Sequence, residues 1–431
     1  MNTRVMHLLV AVAMLAALVA GCAPVTKPAE APAAAAPAGG AVTLEFQQWW
    51  EPELPAGSFR AMMDDFEKQN PGITVKLISG PYATTKEQVV AGAAAGTMAD
   101  VVGLDGAWVS DFVKQGSIAN LTDLMKAAKY DDSEVAAQIK LNGGTYMIPV
   151  VNFVYPVFVN LDLMTKAGIA KPPTTRTEFA DAAKKLTDAK SNVYGWVLPL
   201  SLEQANGIQN DVMSWVWASG GSMMKDGKPN LVGNKDVSSV LEFIKGLKDA
   251  GVIAPGSNSM KEQDKVEEFT NGRVGMMVDS LAHINLIRKN NPDLKFGITA
   301  LPAADGYTGK RGLPYASWGI GVSATSKHQA EAWKLVQYLL SKDVNTKLSS
   351  IAHAFPGNVN STPDYVEKDE LFKAAFDVFK NGYLANEFTG LPVAEDLMRS
   401  FDEQFQPYLD GSQSLDDTLQ KAQDAWMKNF K

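Results

Sequence analysis

Along residues 42–46 the chain alternates Val, Leu and Phe with Thr and Glu, the two-residue period of a strand with one buried face. Phe59, Met62, Met63 and Phe66 then recur at helical spacing until Asn70, Pro71 and Gly72 stop the helix. A second alternating strand is predicted over 73–78, an alanine-rich helix over 86–95 and a short apolar strand over 101–104. The pattern returns in strands at 146–149 and 157–160, in helices at 176–187 and 237–250, the latter closed by Gly251, and in a last helix over 415–430. Strand and helix alternate, so the expectation is an α/β fold with mostly parallel sheets. Neither an internal repeat nor a sustained heptad pattern points elsewhere. With 431 residues, 46% of them hydrophobic, the chain can build two lobes, each with its own core.

The first forty residues follow other rules. Arg4 precedes an apolar run over 8–20, shorter than the roughly 20 residues a spanning helix needs. A charged start, an apolar stretch and small residues read as a secretory signal. Val19-Ala20-Gly21-Cys22 resembles the bacterial lipobox, and Cys22 is the only cysteine in the chain. That resemblance implies an acylated Cys22 as the first mature residue. The alternative, a thiol buried in a helix, is opposed by the residues after it. Pro24, Pro28, Pro32 and Pro37 among alanines prevent a continuous helix, so this stretch reads as a tether. One cysteine also rules out an intramolecular disulfide and any cysteine-based metal site.

Lys and Arg number 40 against 48 Asp and Glu, a net charge of −8 with no dense basic patch, which argues against nucleic acid as a partner. Of four histidines, His7 leaves with the signal, and His283, His328 and His353 have no His or Cys at metal-ligand spacing. Zinc-protease, nucleophile-elbow and phosphate-loop motifs are missing, so no cofactor or metal is expected. Gly319-Ile320-Gly321-Val322-Ser323-Ala324 imitates a dinucleotide fingerprint but lacks its third glycine and a clear strand before Trp318. It reads as a packed glycine strand. A pair of distant carboxylates of the glycosidase kind stays open.

In open α/β sheets ligands lie beyond the carboxyl ends of strands. There the chain places Trp49, Trp50 and Glu51 after the first strand, and Asp105 and Trp108 after 101–104. Indole rings suit the C–H faces of sugars, and carboxylates and amides suit their hydroxyls. Adjacent Trp49 and Trp50 on a strand would point to opposite sides, so one is expected to leave the core. Trp215 and Trp217 before Gly220 are helix core or cleft wall. Asp279 follows the apolar 274–278, and Trp318 precedes the glycine strand.

Longer segments carry a family likeness: FEKQNPGITV at 66–75, AGTMADVV at 95–102, PPTTRTEF at 172–179, FTNGRVGMM at 269–277, NPDLKFG at 291–297 with Leu301-Pro302, and SKHQAEAW at 326–333. In order and spacing the chain resembles the extracellular solute-binding lipoproteins of ABC importers, in the sugar-binding family that includes the maltose-binding proteins. The resemblance implies a two-lobed periplasmic-binding-protein-like (type II) α/β fold that closes on ligand, with chain crossings near 150–156, 314–318 and 355–360. It divides the chain into a signal peptide (1–21), a lipidated cysteine and tether (22–41), an N-terminal lobe (42–150 and 318–355) and a C-terminal lobe (156–314 and 360–431). By position in those motifs, Trp49, Glu51, Asp105, Trp108, Asn152, Phe153, Asn210 and Glu395 match cleft residues. Trp50, Trp217, Asp279 and Trp318 join them from the strand-end reading. Ser317-Trp318 stands where the family often has Gly-Gly, and Asp279-Ser280-Leu281 where it often has Gly-Pro-Trp.

The implied partners are a carbohydrate, the transmembrane subunits of an ABC permease, and the membrane through the lipid, for a monomeric, non-enzymatic receptor. A polyol or sugar-phosphate receptor, a secreted carbohydrate-active enzyme and a sensor lipoprotein are the alternatives. Trp49→Ala or Trp318→Ala is expected to abolish ligand binding while leaving the free protein's melting temperature nearly unchanged.

Overall fold

The structure is a computed structural model that describes residues 41–430, Asn206 excepted. The signal, Cys22 and nearly all of the tether lie outside the described residues. Fourteen strands appear among them: β1 Val42–Gln48, β2 Ile73–Ser79, β3 Val101–Leu104, β4 Ile139–Leu141, β5 Gly144–Val154, β6 Val157–Asn160, β7 Tyr194–Trp196, β8 Met224–Lys225, β9 Lys228–Pro229, β10 Val274–Val278, β11 Phe296–Thr299, β12 Gly312–Val322, β13 Phe355–Pro356 and β14 Tyr383–Ala385. The first large sheet runs β13-β5-β12-β3-β1-β2, with β4 on β5 and β14 on β12. The second runs β11-β6-β10-β7, and β8 with β9 forms a small ribbon.

The sheets are mixed, which corrects the expectation of mostly parallel ones. β1 pairs in parallel with β2 and β3, as strand-helix-strand units require. β12 instead lies antiparallel between β3 and β5, because it re-enters the first sheet only after the chain has built the second. β5 runs back along β4 through a tight hairpin at Asn142 and Gly143, both with positive φ, the geometry in which Asn-Gly is favoured. The β12 strand also continues through Trp318, where none was expected before the glycines, with a shift of register against β5 between Trp318 and Gly319. A Cβ on Gly319 would fall 2.3 Å from the Met147 sulfur, and one on Gly321 2.5 Å from Leu104 Cδ1. Those glycines admit neighbouring side chains, as core packing requires.

Each sheet carries its own cores. Under the first, Leu44 and Phe46 of β1 meet Phe59, Met62, Met63 and Phe66 of helix Ser58–Gln69. The second is covered on both faces at its centre, so β10 and residues 157–159 of β6 are apolar and buried. Val157 and Val159 face one core, and Phe158 faces the other with Phe269 and Phe296. Helix Arg176–Leu186 opens on a capping box, in which Glu178 N donates to Thr175 Oγ1 at 3.2 Å and Thr175 N to Glu178 Oε2 at 3.3 Å.

Only Tyr155 and Pro156 separate β5 in the first sheet from β6 in the second. The chain returns from β11 to β12 and passes β13 before helix Glu370–Asn381, whose Phe372 and Phe376 join the core of Phe158. These passages lie side by side, with Asn152 opposite Ser317 on one flank and Phe355 on the other. No helix among the described residues is long and apolar enough to cross a membrane.

Candidate functional site

A cleft of about 460 Å³ opens where the carboxyl end of β3, the middle of β12 and the Tyr155 link meet segments at 203–210, Glu262 and 386–399. On the β3 side, Asp105 caps helix Gly106–Gln115, its Oδ1 accepting from Ala107 N at 2.9 Å. The next residue must be small, since a Cβ on Gly106 would come within 2.9 Å of Thr389 Cγ2. Tyr82, the first residue of helix Tyr82–Ala95, donates its hydroxyl to Asp105 Oδ2 at 3.2 Å. Burial raises the Asp105 pKa, against the bonds from Ala107 and Tyr82.

The opposite wall starts at a π-helix, Ile208–Met213, a form that often marks functional sites. It begins where only glycine fits, because a Cβ on Gly207 would lie 1.9 Å from the Pro199 carbonyl oxygen. Gln209 and Asn210 line the cleft. Asp211, the next residue, is fully buried and receives Lys265 Nζ at 3.1 Å. Lys265 is fully buried as well, and it also donates to the Val278 carbonyl and lies 3.6 Å from Asp279 Oδ1. Burial opposes the Lys265 charge, and the surrounding carboxylates overcome it, so its pKa is raised. Asp279 Oδ2 in turn holds His283 Nδ1 at 2.9 Å. Burial disfavours protonated His283, but the bond and charge of Asp279 prevail and raise its pKa. Glu262, at the start of helix Glu262–Thr270, brings this charged group to the cleft surface. Carboxylate and imidazole atoms of Glu262, Asp279 and His283 lie within 4.8 Å of one another, a grouping able to hold a cation.

The remaining wall comes from Tyr315, Ala316 and Ser317 of β12, the 386–389 turn and helix Ala394–Leu409. Asn386 ties the turn to the strand, donating to the Tyr315 carbonyl at 3.1 Å and accepting from Phe388 N at 3.0 Å. Glu395 faces Lys86 Nζ at 3.5 Å, and Arg399 donates to Asp396 Oδ1 at 3.0 Å and to the Leu202 carbonyl at 3.1 Å.

Of the twelve candidate binding residues, Asp105, Asn210 and Glu395 come together as lining of this cleft. The other nine do not line it. β1 ends at Gln48, so Trp49 and Trp50 sit in a bend, and the expectation that one of them leaves the core fails: both are buried. Trp49 and Trp108 pack behind Tyr82, with ring centroids 5.2 and 5.4 Å from it. Trp50 stacks on Trp318 at 5.6 Å, and Phe153 packs edge-on against Trp318 at 5.5 Å. Glu51 accepts from the Ser79 hydroxyl. Asn152 is buried in β5 and donates to the Pro356 carbonyl at 3.2 Å. Trp217 is core, its Nε1 donating to Glu387 Oε2 at 3.0 Å, and Trp215 is core beside it. Asp279 is sealed beneath the surface by its partners.

Sequence reasoning missed Tyr82, Tyr155, Tyr315, Glu262, Asn386 and Arg399. Tyr82 follows β2 through Gly80 and Pro81, so the strand-end rule that selected Asp105 would also have selected it. The others carry no local signal.

The profile of the bacterial extracellular solute-binding proteins matches residues 52–346. A binding protein of Brucella abortus (strain 2308) is 29% identical over 370 residues, covering 84% of this chain and 83% of its own. The multiple sugar-binding protein of Streptococcus mutans is 24% identical over 322 residues, covering 69% and 71%. Among solved structures, the cyclic alpha-maltosyl-1,6-maltose binding protein of Arthrobacter globiformis superposes with a TM-score of 0.75 at 19% identity, covering 91% of this chain and all of that one.

Proposed function

The chain belongs to the bacterial extracellular solute-binding proteins, and from that premise we propose that it captures a mono- or oligosaccharide in the cleft and delivers it to the permease of an ABC importer. The observation that carries the carbohydrate reading is the composition of the wall. Tyr82, Tyr155, Tyr315 and Phe388 offer ring surface beside Asp105, Gln209, Asn210 and Asn386, which offer hydrogen bonds. Flat C–H faces pack on the rings, and hydroxyls pair with the acceptors and donors. A cleft of about 460 Å³ lies within the range of small-molecule sites. Relatives named for sugar binding support the same reading.

The lobes we assign are 42–150 with 318–355 and 156–314 with 360–431. Two sets of cores support that division, one drawn from 44–151 and 318–354, the others from 154–315 and 355–426. A ligand touching both lobes binds the closed arrangement better and shifts the population toward it. The receptor binds without turning over its cargo, as a monomer held to the membrane by the acylated Cys22 that the lipobox implies.

Calorimetric titration of the full chain against neutral mono-, di- and oligosaccharides tests the reading, with product analysis of each mixture. Binding of one saccharide class with no product formed is the expected result. Absence of any saccharide binding, or release of a cleaved sugar, would overturn it.

A further inference from the structure

One wall of the cleft belongs to no regular element. β14 pairs with β12 as far as Ala385, and the next helix starts at Ala394, which leaves 386–393 between them. In this stretch Asn386 and Phe388 line the cleft. Glu387, between them, reaches instead into the segment 217–223. Its Oε2 accepts from Trp217 Nε1 at 3.0 Å and from Met223 N at 2.8 Å, and its Oε1 accepts from the Ser222 hydroxyl. Trp217 and Met223 are buried in the core, so the carboxylate is tied to a rigid part of the fold.

The turn is also tied on its other side. Gly390 N donates to the Gly106 carbonyl at 3.0 Å, beside Asp105 and Ala107 of the cleft lining. Asn386 holds the Tyr315 carbonyl. Glu387 is thus the anchor of a short bridge that carries cleft residues between the 217–223 segment and the first sheet. Moving it would move Asn386 and Phe388 with it.

Resting on the carbohydrate reading, we propose that Glu387 is a positioning residue: it touches no sugar, and its three hydrogen bonds hold Asn386 and Phe388 where the sugar meets them. A wall fixed before the ligand arrives spares the ordering that a loose wall undergoes on binding. The role calls for acceptors at the right places and not for charge. Glutamine meets it, because its amide oxygen can accept from Trp217 and Met223 while its amide nitrogen donates to Ser222 Oγ. The Ser222 hydroxyl then donates to the Met224 carbonyl, which lies 2.7 Å away. Alanine loses all three bonds, and aspartate is one methylene too short to keep them.

The test is calorimetric titration of the full chain. The wild type is first titrated with saccharides, and failure of every one to bind would overturn the carbohydrate reading and this proposal together. With a saccharide that binds, Glu387→Ala and Glu387→Asp should each weaken affinity by about tenfold or more, with circular dichroism confirming that both are folded at the assay temperature. Glu387→Gln should stay within about twofold of wild type. A glutamate that served folding alone would lower the unfolding midpoint and leave the affinity of the folded protein unchanged. Wild-type affinity in Glu387→Ala or Glu387→Asp, or a loss in Glu387→Gln as large as in Glu387→Ala, would overturn the proposal and leave the carbohydrate reading standing. If neither Glu387→Ala nor Glu387→Asp folds, Ser222→Ala decides. It removes one of the three bonds at a half-buried residue and should weaken binding by about threefold, and unchanged affinity there would overturn the proposal.

Discussion

Asp402 lies in the middle of helix Ala394–Leu409, fully buried beside Phe401 and Phe405 in an apolar core. Neither of its carboxyl oxygens has a hydrogen-bond partner among the described residues. Burial alone raises its pKa well above the ordinary carboxylate range. Replacing it by leucine removes two contributions that oppose folding. An unsatisfied polar group in a core costs about 1–3 kcal/mol at any pH. The second contribution depends on pH, because the folded-state pKa exceeds the unfolded one, near about 3.9. Below that value both states hold the proton and pH makes no difference. As pH rises through the window between the two pKa values, the unfolded chain releases the proton and the folded chain keeps it. Stability then falls by up to about 1.4 kcal/mol per pH unit until the folded pKa is reached. Urea unfolding of wild type and Asp402→Leu at pH 4 and pH 7 measures both parts. The variant should be more stable by about 1–3 kcal/mol at pH 4 and by a larger margin at pH 7. A variant less stable than wild type, or a margin equal at the two pH values, would show that the carboxyl is satisfied in solution and refute the argument.

Three further substitutions separate core from cleft. Trp318→Ala removes a buried ring stacked on Trp50 and should lower unfolding stability by about 3–5 kcal/mol, checked by denaturant titration; an unchanged midpoint would return Trp318 to the cleft. Lys265→Met strands the buried Asp211 and Asp279 and should destabilise by about 3–5 kcal/mol, with most of the loss recovered in the Asp211→Asn/Lys265→Met double variant. Tyr82→Ala should weaken saccharide binding roughly tenfold, about 1.4 kcal/mol, with little change in melting temperature, because its ring is partly exposed to the cleft. Equal affinity in that variant would remove Tyr82 from the site.

Local periodicity made much of the fold legible. Phe59, Met62, Met63 and Phe66 mark one face of a helix by their spacing, and that face is the one buried. The alternation at 42–46 likewise places Leu44 and Phe46 inward. Strand direction was not legible, because whether β12 runs with or against β3 depends on the path taken through the second sheet. The hairpin at Asn142 and Gly143 did carry a signal, in the one dipeptide most suited to two successive positive φ angles. Asp105 was legible in the site because it both ends a strand and caps a helix. The tryptophans misled because composition cannot tell a ring on the cleft from a ring one layer behind it: Trp49 and Trp108 support Tyr82 rather than replace it. Glu262 and Arg399 reach the cleft from helices far apart in sequence, so nothing beside them along the chain announces their meeting.

The passages between the two sheets are hydrogen-bonded to one another, with β5 flanked by β12 and β13. Three separate linkers could let two bodies swing, slide and rotate independently. Three strands laced into one ribbon cannot, since twisting any of them without the others would break the ladder. Any relative motion of the sheets must therefore bend or twist the paired strands together, as a strap flexes and not as three loose cords. On the carbohydrate reading proposed above, a ligand held between the sheets would act on that shared ribbon rather than on three independent links.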